Sequence, residues 1–157
     1  MIAPVGDEAG RQPMQVHAIA AEETHPLRLL VLRPGGRLED CRWPIDATPE
    51  AFHLAVDDGN DRICVASFQP AAHGALPALR PWQLRGMATH PGHRGQGAGT
   101  LLMAAALERL ERAGADVLWC NARLAAVPFY QRLGFRIEGA LFDIPGIGPH
   151  HVMWRSI

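Results

Sequence analysis

The 157-residue sequence predicts a mixed α/β fold (α+β), a mostly antiparallel sheet that contains one parallel strand pair and is flanked by helices. Three observations predict it. An apolar run over 82–89 passes through a glycine-studded turn into the Ala- and Leu-rich stretch 97–113, and a second apolar run follows over 115–120. Strand, helix, strand implies a right-handed crossover and therefore local parallel pairing. Residues 51–56 and 62–68 are β-prone runs separated by Asp57-Asp58-Gly59-Asn60-Asp61, whose Asp-Gly and Gly-Asn steps signal a hairpin. A hydrophobic content of 48% in a chain of this length fills one sizeable core but hardly two, so a single domain over 14–157 is expected.

In chain order, residues 1–13 are polar, contain Gly and Pro and lack periodicity, which predicts a mobile tail. Residues 14–20 alternate well enough for a first strand. The next stretch carries Leu27, Leu30 and Val31 at helical offsets, Pro26 in a first-turn position and Pro34-Gly35-Gly36 as a stop, so a short helix is expected. Residues 37–49, with two prolines, three acids and Trp43, read as a loop or broken helix over the core. His53 stands alone among Phe52 and Leu54, a setting that fits a satisfied structural residue better than a catalyst. Residues 69–81 read as a long Ala- and Pro-rich loop. In the following helix Leu102, Ala106, Leu110 and Ala113 share one face, Glu108 and Arg112 form a favourable pair four apart, and Gly114 supplies the stop. The strand at 115–120 is closed by Asn121-Ala122-Arg123. A last helix is expected over 124–133, with Pro128 tolerated in its first turn. Residues 135–139 and 150–155 then read as an antiparallel pair around a rigid turn.

Charge and cysteine usage narrow the function classes. With 15 basic and 16 acidic residues the formal charge is −1, which gives no field for nucleic acid or an anionic membrane. Cys41, Cys64 and Cys120 are widely spaced and odd in number, fitting neither a zinc cluster nor a disulfide framework, so no metal and a reducing cytoplasm are expected. No apolar run approaches the ~18 residues of a membrane span, and the first residues lack the features of a secretory leader.

The start of the 97–113 helix is the part that points to chemistry. Helix starts normally carry a capping Ser, Thr, Asp or Asn and a carboxylate in the first turn. This one has Gly95, Gly97 and Gly99, no acid, and His93 and Arg94 just before it. Basic residues at the positive end of a helix call for an anion, most simply a ligand phosphate held on bare N–H groups. A tight-packing turn is the plainer alternative. The spacing is not that of a Walker loop, which needs Gly-Lys before Ser or Thr. Nor is it a dinucleotide fingerprint, since Asp116 begins the next apolar run rather than ending it.

Arg94-x-x-Gly97-x-Gly99, preceded by Met87-Ala88-Thr89 and followed by Ala126-x-x-Phe129-Tyr130-x-x-Leu133-Gly134-Phe135, resembles the two signature blocks of the GNAT N-acetyltransferase superfamily. The likeness is strong from about residue 82 onward and faint before it. It implies a GNAT fold with the parallel pair splayed at the acetyl-CoA site, and acetyl transfer from acetyl-CoA to a small-molecule or peptide amine by direct attack in a ternary complex. It further implies Met87, Ala88 and Thr89 at a bulge beside the thioester and pantetheine, and Arg94, Gly95, Gln96, Gly97, Ala98, Gly99 and Thr100 around the pyrophosphate. Asn121 would bond the pantetheine amides, and Tyr130, the one tyrosine, would act as general acid toward the leaving sulfur while touching the cofactor. Trp43 and Asp46 fall in the region that often lines the acceptor side, although a packed Trp and a solvated Asp are the plainer reading.

Two departures stand out. Gln83 and Arg85 occupy the positions where relatives carry a glutamate base, leaving His90, His150 or His151 through a water, or an amine of low pKa, as alternatives. Arg123 replaces an Asn or Gln seven residues before the tyrosine. A noncatalytic acyl-CoA-binding module is the competing reading, since the base is missing while Tyr130 is kept. The family also makes a homodimer an open expectation, and the near-neutral chain does not select among acceptor amines.

Overall fold

A computed structural model describes residues 13–157. The expected tail over 1–13 lies, apart from Pro13, outside the described residues. The chain forms one seven-stranded sheet from β1 (Gln15–Ile19), β2 (Phe52–Asp58), β3 (Asp61–Pro70), β4 (Pro81–Thr89), β5 (Val117–Arg123), β6 (Arg136–Ile144) and β7 (Gly148–Ser156), in the order β1-β2-β3-β4-β5-β7-β6. All neighbours are antiparallel except β4 and β5.

Alternation along the strands divides the core between the two faces. Phe52, Leu54 and Val56 of β2 point with Phe68, Leu84 and Leu118 toward helix α2 (Ala98–Arg112), whose Leu102, Met103, Ala106 and Leu110 are fully buried among them. Each such large side chain supplies about 1.5–3 kcal/mol of transfer free energy. The opposite face, with Ala55, Val65 and Ala88, is covered by Leu27 of an irregular helical segment. That segment passes from a 3-10 turn (Ala21–Thr24) through one α turn, α1 (His25–Leu27), into a π turn (Arg28–Leu32). Below β5 and β7, Trp119 and Val152 are capped by Leu76 of the 71–80 loop, where Trp119 Nε1 donates to the Ala71 carbonyl at 2.8 Å. None of the described helices is long and apolar enough to cross a membrane.

Several boundaries differ from the sequence reading. The π turn, closed by Arg33 N–H donating to the Arg28 carbonyl at 3.1 Å, adds a residue to the repeat. Leu30 therefore turns outward, 48% exposed, and Arg28 turns inward. Ala113 lies past the last turn of α2 as its C-cap and is exposed. Residues 37–49 hold two 3-10 turns, Leu38–Cys41 and Pro44–Ala47. The 121–123 stretch continues β5 because β7 pairs with it, Asn121 against Val152 and Arg123 against His150. The supposed rigid turn over 142–151 is mostly strand, with Ile144 paired to Gly148, so the reversal occupies only 145–147. The last helix splits into a 3-10 turn, Leu124–Ala126, and α3 (Val127–Arg132), with Pro128 in its first turn as expected.

Candidate active site

The parallel pair holds for only three residues, from Pro81 opposite Val117 to Gln83 opposite Trp119, after which β4 and β5 part. Two further features shape the opening. On its other side β4 bulges, because Val65 pairs with Ala88 and Ser67 with Arg85, leaving Gly86 and Met87 opposite the single Ala66. Such a bulge frees backbone groups from the ladder and redirects the strand. Gly86 adopts φ +67°, and a Cβ there would lie 2.6 Å from Trp43 Cζ3, so both its conformation and its space demand glycine.

On one side of the divergence lies a cavity of about 670 Å³, walled by Met87 and Thr89 of β4, by Arg94, Gly95, Gly97, Ala98, Gly99 and Thr100 at the start of α2, and by Phe129, Tyr130 and Arg132 of α3. The start of α2 has no side-chain cap and no acid in its first turn, with Gly97 as N-cap at φ +84°. Its first N–H groups have no intrahelical partner. With Arg94 and Arg132 beside them, these groups form a cationic mouth suited to phosphates. The glycines are not equivalent: Gly95 and Gly97 take positive φ with open space around them, whereas a Cβ on Gly99 would lie 3.0 Å from Phe129 Cζ. Gly99 thus serves the packing of α2 on α3. Ala88 and Gln96 are not among the lining residues: the Ala88 side chain enters the cluster on the opposite sheet face, and Gln96 is exposed.

A smaller notch of about 160 Å³ occupies the V between the strands. It shares Leu32, Met87, Arg123, Ala126 and Tyr130 with the larger cavity, so the two meet at the bulge and the tyrosine. Asn121 lines this notch rather than the larger cavity, on the side away from the α2 start. Tyr130 packs edge-on against Phe129 and Phe135 and is 4% exposed. Burial, with the neighbouring Cys120 and Cys64 adding to it, pushes its phenol well above the usual range. The ring therefore keeps its proton.

Of the three histidines weighed as proton acceptors, His150 alone lines the notch. Its Nδ1 lies 2.7 Å from the Gly148 carbonyl oxygen and donates to it, so in the neutral ring the lone pair is on Nε2. His90 instead accepts the Gly92 N–H at 3.0 Å in the turn before α2, and His151 points to the other face of β7. Gln83 is held by Gln69, whose Nε2 donates to its Oε1 at 3.1 Å.

Residues 17–135 match the model of the acetyltransferase (GNAT) family. The chain is also 38% identical over 144 residues to the uncharacterized N-acetyltransferase YitI of Bacillus subtilis (strain 168), covering 92% of this chain and 97% of that one. This chain belongs to the GNAT family. Among solved structures it resembles a putative N-acetyltransferase from Lactobacillus plantarum, with a TM-score of 0.76 at 21% identity over 92% of this chain and 99% of that one. It also resembles an aminoglycoside 6'-N-acetyltransferase complexed with coenzyme A, with a TM-score of 0.71 at 14% identity over 90% and 96%. At these identities the two structures share the GNAT fold, a mixed sheet with one splayed parallel pair, and the family is one of acyltransferases.

Beneath this GNAT site lies a polar network that the sequence did not reveal. Arg28, fully buried, donates from Nη1 to the Cys41 carbonyl and to Asp46 Oδ2, both at 2.9 Å, and from Nη2 to Ser67 Oγ at 2.8 Å. His53 Nδ1 lies 2.6 Å from the same hydroxyl, which makes His53 the structural residue expected. Asp46 also meets His25 Nε2 at 3.0 Å and accepts the Trp43 N–H at 3.1 Å, so it is neither solvated nor an acceptor contact. Trp43 lies against Arg28 and Arg85, with guanidinium-to-centroid distances of 4.0 and 5.0 Å, and also lines the notch. Among the described residues no group of three or more His, Cys, Asp or Glu is placed to hold a metal ion.

Proposed function

We propose that the chain transfers an acetyl group from acetyl-CoA to a primary amine by direct attack in a ternary complex. The carrying observation is that the phosphate-suited cavity and the notch meet at Met87 and Tyr130, which gives a donor and an acceptor one shared point of approach. Acetyl-CoA would enter from the α2 side, its phosphates on the open N–H groups of 98–100 with Arg94 and Arg132, and its pantetheine along β4 past Thr89. A backbone N–H at the Gly86–Met87 bulge would receive the thioester oxygen as it becomes an oxyanion, a contact of a kind worth ~10²–10³ in rate. The acceptor would enter from the V.

The proton steps use the notch residues. His150 Nε2, which bears the lone pair of the neutral ring, takes the amine proton directly or through a water. Tyr130 gives its proton to the departing sulfur. Because its phenol lies above a reference value already near 10 while a thiol lies near 8.5, this transfer accompanies C–S cleavage rather than preceding it. Direct attack is favoured over an acyl-enzyme because all three cysteines are buried, and burial pushes the Cys64 thiol up to about 11 and Cys120 higher still.

The test is thiol release from acetyl-CoA with the full chain, a pooled panel of amines, amino acids and peptides, and an amine-free blank. Release above the blank is expected. Release equal to the blank, with acetyl-CoA still raising the melting temperature, would replace this proposal with a noncatalytic acyl-CoA-binding module.

A further inference from the structure

The walls of the notch carry three arginines, Arg33, Arg85 and Arg123, and no Asp or Glu. All three are half-buried, and none takes part in an ion pair among the described residues. The nearby carboxylate of Asp46 is engaged with Arg28. Arg33 Nη1 and Arg123 Nη2 both donate to the Leu32 carbonyl, at 2.8 and 3.0 Å, so two guanidiniums converge on one oxygen. Each guanidinium has five N–H donors, so most of theirs stay available. The Arg85 guanidinium lies 5.0 Å from the centre of the Trp43 ring, a cation–π contact that leaves its N–H donors available. Burial and then the charge of Arg33 pull both Arg85 and Arg123 below the ordinary guanidinium range, with Asp46 only partly offsetting this for Arg85.

We propose that the acceptor amine also carries a carboxylate, as an amino acid does, and that Arg85 with Arg33 and Arg123 receives it. The inference rests on the transferase reading above and adds the substrate class. A planar fork pairs with a carboxylate through two parallel bonds. Phosphate shares this chemistry, and the phosphonate arm of the experiment below separates the two. A polyamine or an aminoglycoside would bring further cations against three guanidiniums, which is repulsive. The rest of an amino acid has somewhere to go. A groove of about 540 Å³ continues past Arg33 and Arg123, walled also by Leu32, Pro34, Pro145 and Ile147, with room for a side chain.

The experiment measures kcat/KM by thiol release for four matched arms: L-amino acids, their carboxamides, aminoalkylphosphonates and diamines. The amino acids are expected to exceed their carboxamides by about tenfold or more, the scale of one charge-assisted pair. Arg85→Gln and, independently, Arg33→Gln are expected to collapse that acid-over-amide ratio toward one, with melting temperatures confirming that each variant is folded. Equal use of amides or diamines overturns the proposal while leaving the transferase reading standing, and so does a preference for phosphonates. A higher KM for acetyl-CoA with the acid-over-amide ratio unchanged would assign the cluster to the donor and overturn it as well. No release from any arm would overturn the transferase reading itself, and this proposal with it.

Discussion

Tyr130 and Asp46 show how differently two site residues can be read. Tyr130 was singled out by a local motif and its uniqueness in the chain, and the structure places it on the walls of both cavities. Replacing it with Phe keeps the ring packing and removes only the proton, so Tyr130→Phe should lower kcat by ~10²–10⁴ with a smaller change in KM for acetyl-CoA. Since burial raises its phenol, the wild-type rate should show no alkaline fall from Tyr130 below about pH 10, which a pH–rate profile can check. Asp46 was misread as solvated because two of its partners, Arg28 and His25, lie 18 and 21 residues away. Burial alone would raise its carboxyl, but the Trp43 N–H, His25 and Arg28 together hold it below the usual range. Burial, and then Arg28, likewise holds the His53 imidazole low. Both groups have native pKa values below their unfolded ones, so each contributes stability that is complete above the unfolded value and is lost as pH falls through the native value. Stability should therefore decline below about pH 6.5 as His53 is forced to charge, and again below about pH 4 as Asp46 is protonated. Asp46→Ala, which leaves Arg28 buried without its carboxylate, should cost about 3–5 kcal/mol in urea unfolding at pH 7 and flatten the lower of these two declines. A variant as stable as the parent would show that Arg28 is satisfied by Cys41 and Ser67 alone.

Among the elements, α2 was predictable because a period-3.6 pattern runs unbroken through it, β4 because an extended run leads into the glycine-rich turn before α2, and the hairpin of β2 and β3 because Gly59-Asn60 sets it. The segments that escaped prediction owe their form to partners far away in sequence. The antiparallel pair of β6 and β7 was expected over 135–139 and 150–155, but its inner ends run through Asp, Pro and Gly where no apolar alternation marks them, and they are extended because the two strands pair as far as Ile144 and Gly148. The π turn moves Arg28 inward for the sake of Asp46 and Ser67, a choice no local pattern encodes. The bulge in β4 is an intermediate case, expected near Met87 and found at Gly86 and Met87. It also gives a sharp test. Gly86→Ala places a methyl group 2.6 Å from Trp43 in a left-handed backbone conformation, so Trp43 and the Arg85 against it must move or the bulge must flatten. A loss of about 1–3 kcal/mol is expected, with a larger fractional loss in kcat than in stability. Activity retained at a reduced melting temperature would dissociate the bulge from the chemistry.

Across the whole molecule, the site sits where the sheet is weakest. β1 to β4 with α2 form one half and β5, β7 and β6 with α3 the other, joined in the sheet by three residues of parallel pairing. Side chains bridge the gap, with Phe129 against Gly99 at the mouth and Arg123 donating to the Leu32 carbonyl on the far side. Between the other neighbouring strands the ladders run over five to seven residue pairs; along 84–89 and 120–123 the facing edges of β4 and β5 are not paired with each other. A pantetheine arm running along the unpaired edge of β4 from the α2 side would take the place of the missing partner strand. Acetyl-CoA at about 100 times its Kd should then stabilise the fold by about 2.7 kcal/mol, or about 5–10 °C in melting temperature for a chain of this size. Hydrogen exchange locates that gain. Amides of 84–89 and 120–123 should slow on binding more than those of β1 and β2, because the ligand closes the V rather than tightening the sheet as a whole. Slowing confined to 97–101 would mean that only the phosphates are held and that the arm lies outside the splayed pair.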